Sequence, residues 1–133
     1  YYSAAGQVHY LQTNQDTFGQ IVLAINIDAA GYIEGHTAYS LYECPEAITA
    51  AAHQAFSEYA DIREGVQWYQ SDHMIFVQAG KPAMAITSDQ FEWLSTYITH
   101  TEKDVPEIVD GERLANVALG LRVLVDELAQ VIT

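Results

Sequence analysis

Basic residues are scarce in this chain: five Lys and Arg stand against 18 Asp and Glu among 133 residues, for a formal net charge of -13. The five (Arg63, Lys81, Lys103, Arg113 and Arg122) are scattered along the sequence. Nucleic-acid binding and adhesion to an anionic membrane both depend on clustered cations, so neither is expected. Cysteine is nearly absent. Cys44 alone permits no internal disulfide and no thiolate metal cluster. Long hydrophobic runs are missing too, since no apolar stretch approaches the ~18 residues of a membrane helix and the first residues lack the basic region of a signal peptide. No internal repeat, low-complexity tract or linker interrupts the sequence. Residues 1–133 therefore read as a single domain, long enough to bury roughly two-thirds of its unfolded surface. The acidity that remains suits cationic partners, such as a metal ion or a peptide ammonium, and serves solubility equally well.

Helix and strand signals alternate, which points to an α/β domain with a central mixed, mostly parallel sheet flanked by helices. Ile21-Val22-Leu23-Ala24-Ile25-Asn26-Ile27 is a continuous β-branched apolar run, predicting a strand buried on both faces at the sheet centre. A glycine-punctuated loop follows, and residues 37–42 alternate as a second strand. Pro45 opens a helix whose apolar face is Ile48, Ala52, Ala55, Phe56 and Tyr59. A short strand is expected over residues 65–69, and Ser71 is expected to cap a helical turn over residues 72–76. Gly80-Lys81-Pro82 turns into an apolar strand over residues 83–87, and residues 88–98 read as a short helix. Asp110 caps the last helix, along which Leu114, Val117, Leu121, Leu124 and Leu128 recur at helical spacing.

Two residue types able to bind a hydrolytic metal stand at two strand exits: the carboxylate of Asp28 and the imidazole of His100. In open α/β sheets, ligands gather beyond the carboxyl ends of the strands, within reach of Asp28, of the loop with Asp72 and His73, and of the loop before the last helix. Two ligands alone are not a catalytic site, because catalytic zinc usually takes three protein ligands and keeps a fourth position for water.

Several segments, in order, resemble the M28 family of zinc aminopeptidases. They are Asn26-Ile27-Asp28-Ala29-Ala30-Gly31-Tyr32, Ser71-Asp72-His73-Met74-Ile75-Phe76, Gly80-Lys81-Pro82-Ala83 and His100-Thr101-Glu102-Lys103-Asp104. The resemblance runs from about residue 21 to residue 128. It implies a zinc-exopeptidase-like fold, removal of amino-terminal residues from peptides, two zinc ions in a complete site, and metal-ligand roles for Asp28 and His100. Tyr69, Asp72 and His73 become candidates for substrate binding or for support behind the ligands, and Tyr69 or Tyr97 for an oxyanion contact.

The family's His-x-Asp, its bridging Asp and the acidic pair that includes the general-base Glu have no counterpart in this sequence. The opening Tyr1-Tyr2-Ser3-Ala4-Ala5-Gly6 resembles the segment that follows that pair. The resemblance thus implies the second half of a catalytic domain, incomplete at its N-terminal side. Such a half is expected to be inactive alone, and to self-associate or pair with the missing N-terminal half through its exposed strand edge. Two rivals stand beside this reading: a non-catalytic M28-like interaction domain, and a glutaminyl-cyclase-like acyltransferase with a single zinc. For individual residues the plainer readings are a turn-capping Asp28, an ordinary loop His100, a helix-capping Ser71-Asp72 pair and a packing Tyr69. His9, His36 and His53 match no motif and read as surface residues.

Overall fold

The apolar stretches pair into one four-stranded sheet in the computed structural model, which describes residues 4–132. In chain order the elements are α1 (Ala5–Thr13), β1 (Ala24–Ile27), β2 (Thr37–Tyr42), α2 (Glu46–Phe56), β3 (Ile62–Glu64), α3 (Met74–Gln78), β4 (Ala83–Ser88), α4 (Phe91–Tyr97) and α5 (Gly111–Ile132). The sheet order is β1-β4-β2-β3. The β1–β4 and β2–β3 pairings are parallel and β2–β4 is antiparallel, giving the mixed, mostly parallel sheet expected. The resemblance assigned to Tyr1, Tyr2 and Ser3 lies outside the described residues.

Strand alternation sends successive side chains to opposite layers. Tyr39, Ile62, Met84 and Ile86 point to one side and pack with Ile48, Ala52 and Phe56 of α2 and Val117, Leu124 and Leu128 of α5. Tyr42, Ala83 and Ala85 point to the other, against Trp68, with Ala24, Val77 and Phe91 closing around them. A smaller cluster of Tyr32, Leu94 and Ile98 joins α4 to the loop after β1. The α2 and α5 faces follow the threefold and fourfold spacing of their sequence. Asp110 caps α5 as expected, its Oδ1 accepting from the Glu112 and Arg113 N–H groups at 2.8 and 3.4 Å.

Three expectations are corrected. The apolar run of residues 21–27 gives only the short strand β1, and it lies at an edge, bonded to β4 alone among the described residues, with Ile25 36% and Ile27 52% exposed. The short strand expected over residues 65–69 is displaced to β3, because Trp68's backbone is engaged elsewhere, as described below. Ser71 gives no side-chain cap to α3, whose N-cap is His73, because its hydroxyl has a partner far away in sequence.

The loop leaving β1 is stapled to the start of α5. Arg113 Nη1 donates to the carbonyls of Tyr32 and Gly35 at 2.8 and 2.7 Å, and the Asp110 N–H donates to Gly31 O. Gly31 adopts φ +82°, and a Cβ there would stand 2.8 Å from Leu114, so both conformation and packing call for glycine. This staple fixes where the chain goes after Asp28.

Candidate functional site

Asp28 follows β1 directly, and its N–H still reaches Ile86 O at 3.0 Å, so its backbone remains in register with β4. Asn26 and Asp28, two residues apart on an extended chain, project to the same side. Residues 68–73 cross that side. Ser71 Oγ donates to Asp28 Oδ2 at 3.1 Å, Asn26 Nδ2 donates to Ser71 Oγ at 2.9 Å, and Asn26 Nδ2 stands 3.4 Å from His73 Nδ1. His73 Nε2 closes the row at 2.8 Å from Trp68 O.

Tyr42 holds the far end of this row. Its hydroxyl accepts from the Trp68 N–H at 2.7 Å and from Ser40 Oγ at 3.0 Å, and donates to Trp68 O at 2.6 Å. A backbone unit clasped on both its N–H and its C=O cannot also join a strand ladder, which is why residues 65–69 run as irregular chain.

His73 is only 1% exposed and packs between the rings of Tyr42 and Trp68, at centroid distances of 4.8 and 5.0 Å. That burial keeps the ring from solvent, and within the row its Nδ1 faces Asn26. Burial also pushes the imidazole below its ordinary value, partly offset by the Trp68 carbonyl, Asp72 and Asp28. The unfolded chain therefore takes up the proton first as the pH falls through about 6.5, and folding stability declines in that window. Urea midpoints measured from pH 8 to pH 5.5 are expected to fall in the wild-type chain and to show a shallower slope in His73→Gln.

The other side of Asp28 opens on a cavity of about 190 Å³ whose walls include Asp28, Ala29, Tyr32, Leu94, Thr99 and Asp104. His100 lies between those last two residues in sequence, exposed and not itself part of the lining; it follows α4, not a strand, so the expected strand exit is corrected. Its loop is folded by Thr101, whose Oγ1 donates to Ile98 O at 2.6 Å and accepts from the Lys103 N–H at 3.2 Å. Ala29 and His100 both adopt left-handed backbone, with φ of +56° and +62°. That conformation costs an L-residue about 1–2 kcal/mol; Ala29 adjoins Asp28 and His100 is itself a predicted ligand, while Glu43, at φ +51°, shares the conformation outside the lining of this cavity. As one carboxylate oxygen and one imidazole nitrogen, Asp28 and His100 match zinc's ligand chemistry, yet no group of three His, Cys, Asp or Glu able to hold a metal occurs among the described residues.

The remaining candidates lie apart from this cavity. Tyr69 is exposed, donates from its hydroxyl to Gln67 Oε1 at 2.8 Å and meets Tyr42 edge-on. Asp72 is exposed and accepts from Gln7 of α1 at 2.6 Å. Tyr97 is exposed on α4, beside Trp93. Cys44 is half-buried, and burial raises its thiol, which donates weakly to Tyr42 O and Ala83 O, so it is a poor nucleophile. The histidines outside the motifs are solvent-facing as expected: His9 is exposed, while His53 and His36 pair with Glu64 and Asp89. A larger cavity, about 410 Å³, is walled by Ala38, Ser40, Arg63, Thr87 and Asp89 and includes none of the predicted site residues. Sequence reasoning did not single out Asn26. The signal was present in its two-residue spacing from Asp28, which puts both side chains on one face.

The model of peptidase family M28 matches residues 3–125. No curated protein matches the chain. Among solved structures, an aminopeptidase from Aneurinibacillus sp. strain AM-1 shares the fold, with a TM-score of 0.67 and 20% identity over 90% of this chain. The match spans 29% of that aminopeptidase's length.

Proposed function

The chain belongs to peptidase family M28, and from that premise we propose that it is part of a zinc-dependent aminopeptidase that releases amino-terminal residues from peptides. Asp28 and His100 are its share of the metal ligands. The observation that carries this reading is the Asp28 carboxylate at the end of β1, held by the Ser71 hydroxyl and sharing one cavity with the loop on which His100 stands. Bound zinc, two ions in the complete site, would supply an activated water and polarise the scissile carbonyl.

The other ligands and the general base are assigned to a partner half upstream of Tyr1, since two donors fall short of a catalytic set. The edge position of β1 among the described residues, with its Ile25 and Ile27 exposed, supports pairing with that half. The excess of acidic side chains favours the approach of a peptide's terminal ammonium. On this reading the 133-residue chain is inactive alone.

The test compares the 133-residue chain with the chain extended by the coding sequence ahead of Tyr1, both assayed on an aminoacyl-anilide with and without added zinc. The expected result is no hydrolysis by the short chain, and hydrolysis by the extended chain that a chelator abolishes. Zinc-dependent turnover by the short chain would overturn the assignment of the base and the other ligands. An extended chain that binds zinc without hydrolysing anything would favour the interaction-domain reading, and one that cyclises an amino-terminal glutamine would favour the acyltransferase.

A further inference from the structure

We propose that Asn26 and His73 are positioning residues: together they set the direction of every hydrogen bond in the row, so that the Ser71 proton is committed to Asp28. The purpose of the device rests on the reading of Asp28 as a metal ligand, but the hydrogen-bond order itself does not.

The direction follows from one atom that can only accept. Trp68 O receives the Tyr42 hydroxyl at 2.6 Å and faces His73 Nε2 at 2.8 Å. A carbonyl oxygen has two lone pairs and no proton, so Nε2 must carry the hydrogen. A neutral imidazole protonated at Nε2 presents a lone pair at Nδ1. The group facing that lone pair must donate, which places the amide nitrogen of Asn26 there, at 3.4 Å, and fixes an amide orientation that would otherwise be a choice between two.

The second amide hydrogen of Asn26 then goes to Ser71 Oγ at 2.9 Å. The hydroxyl has one proton of its own, and with Asn26 donating to it that proton goes to Asp28 Oδ2 at 3.1 Å. With the amide reversed, the Asn26 oxygen would face the Nδ1 lone pair and compete with Asp28 for the Ser71 proton. His73, 1% exposed, has no bulk water with which to relieve such a clash, so the buried ring selects the amide that leaves Asp28 its donor. Supporting partners of this kind orient ligands, and their loss typically costs about 10–100-fold in metal affinity.

The order can be read in the zinc-free 133-residue chain by long-range ¹H–¹⁵N spectra of the His73 ring and by the side-chain carboxyl ¹³C resonance of Asp28. The wild-type ring is expected to be protonated at Nε2 and bare at Nδ1. Asn26→Leu, which keeps bulk and removes both donors, is expected to leave that tautomer in place while moving the Asp28 carboxyl resonance in the same direction as Ser71→Ala does. Asn26→Asp puts an acceptor against Nδ1 and is expected to draw a proton onto it, which checks that residue 26 is the group facing Nδ1; an unchanged ring spectrum in this variant overturns that contact and the proposal with it. Protonation of wild-type Nδ1 overturns the proposal, as does an Asp28 resonance that responds to Ser71→Ala but not to Asn26→Leu. Should Asn26→Leu fail to fold, the wild-type tautomer and the Asn26→Asp ring spectrum decide. No zinc or substrate enters the measurement, so failure here leaves the proposed peptidase activity standing, and failure of that activity leaves the hydrogen-bond order standing.

Discussion

Phe56→Ala is expected to cost about 3–5 kcal/mol, a large share of the 5–15 kcal/mol typical of a domain. The ring is 2% exposed, stacks on Tyr39 at a centroid distance of 5.0 Å, and lies over the one glycine buried in the α5 face. A Cβ built at Gly120 would stand 2.5 Å from Phe56 Cε1, so the ring occupies the space a side chain would otherwise take where α2 crosses α5. Truncation leaves that space empty on both sides, and there is no side chain at Gly120 to collapse into it. Gly120→Ala sharpens the test. Helix propensity alone would make it stabilising by about 1 kcal/mol, whereas overpacking against the ring makes it destabilising by about 1–3 kcal/mol. Urea midpoints of the two single variants and the double variant check the claim, with the double expected to be less destabilised than the sum of the singles. Val125→Ala, on the exposed side of α5, is the control and should stay within about 0.5 kcal/mol of wild type. A stabilising Gly120→Ala, or a harmless Phe56→Ala, would mean that the α2–α5 contact is not built around this ring.

Helices α2 and α5 were legible because each carries its address in its own period: Ile48, Ala52, Ala55 and Phe56 on one, Val117, Leu124 and Leu128 on the other, all buried where the spacing puts them. The place of β1 in the sheet was not. A run such as Ile21-Val22-Leu23 reads the same at a sheet's centre or its edge, because apolar patterning reports burial propensity and not the identity of neighbours. The opposite edge misled for the complementary reason. Ile62-Arg63-Glu64 is short and charged, with Arg63 and Glu64 exposed, as edge strands often are, and so gives a weak strand signal. Gly65 to Tyr69 look more strand-like, yet Tyr42 takes both backbone groups of Trp68. The same limit applies at the site. Asp28 and His100 were visible as ligand types in their motifs, while the hydroxyl of Ser71 belongs to a residue 43 positions away, which no local capping rule can foresee.

If the proposed metal role is right, Asp28→Ala is expected to lower the activity of the extended chain by well over about 100-fold, since a direct ligand should matter more than the supporting partners whose loss costs about 10–100-fold in affinity or activity. Ser71→Ala, which leaves the carboxylate in place without its donor, should fall within that lower range. The grading is what separates a metal role from a structural one. Asp28 is exposed, and its backbone N–H to Ile86 O survives the substitution, so unfolding stability should change by no more than about 0.5 kcal/mol even as activity collapses. A capping or turn-forming aspartate would give the reverse, with lost stability and little change in turnover per folded molecule. Zinc content after dialysis, read beside activity and the urea midpoint, distinguishes the cases: the metal-ligand role requires Asp28→Ala to lose zinc, Ser71→Ala to retain it more weakly, and both to unfold near the wild-type midpoint. Full activity in Asp28→Ala would remove this residue from the site, and with it the reason for the row of donors that runs from His73 to Ser71.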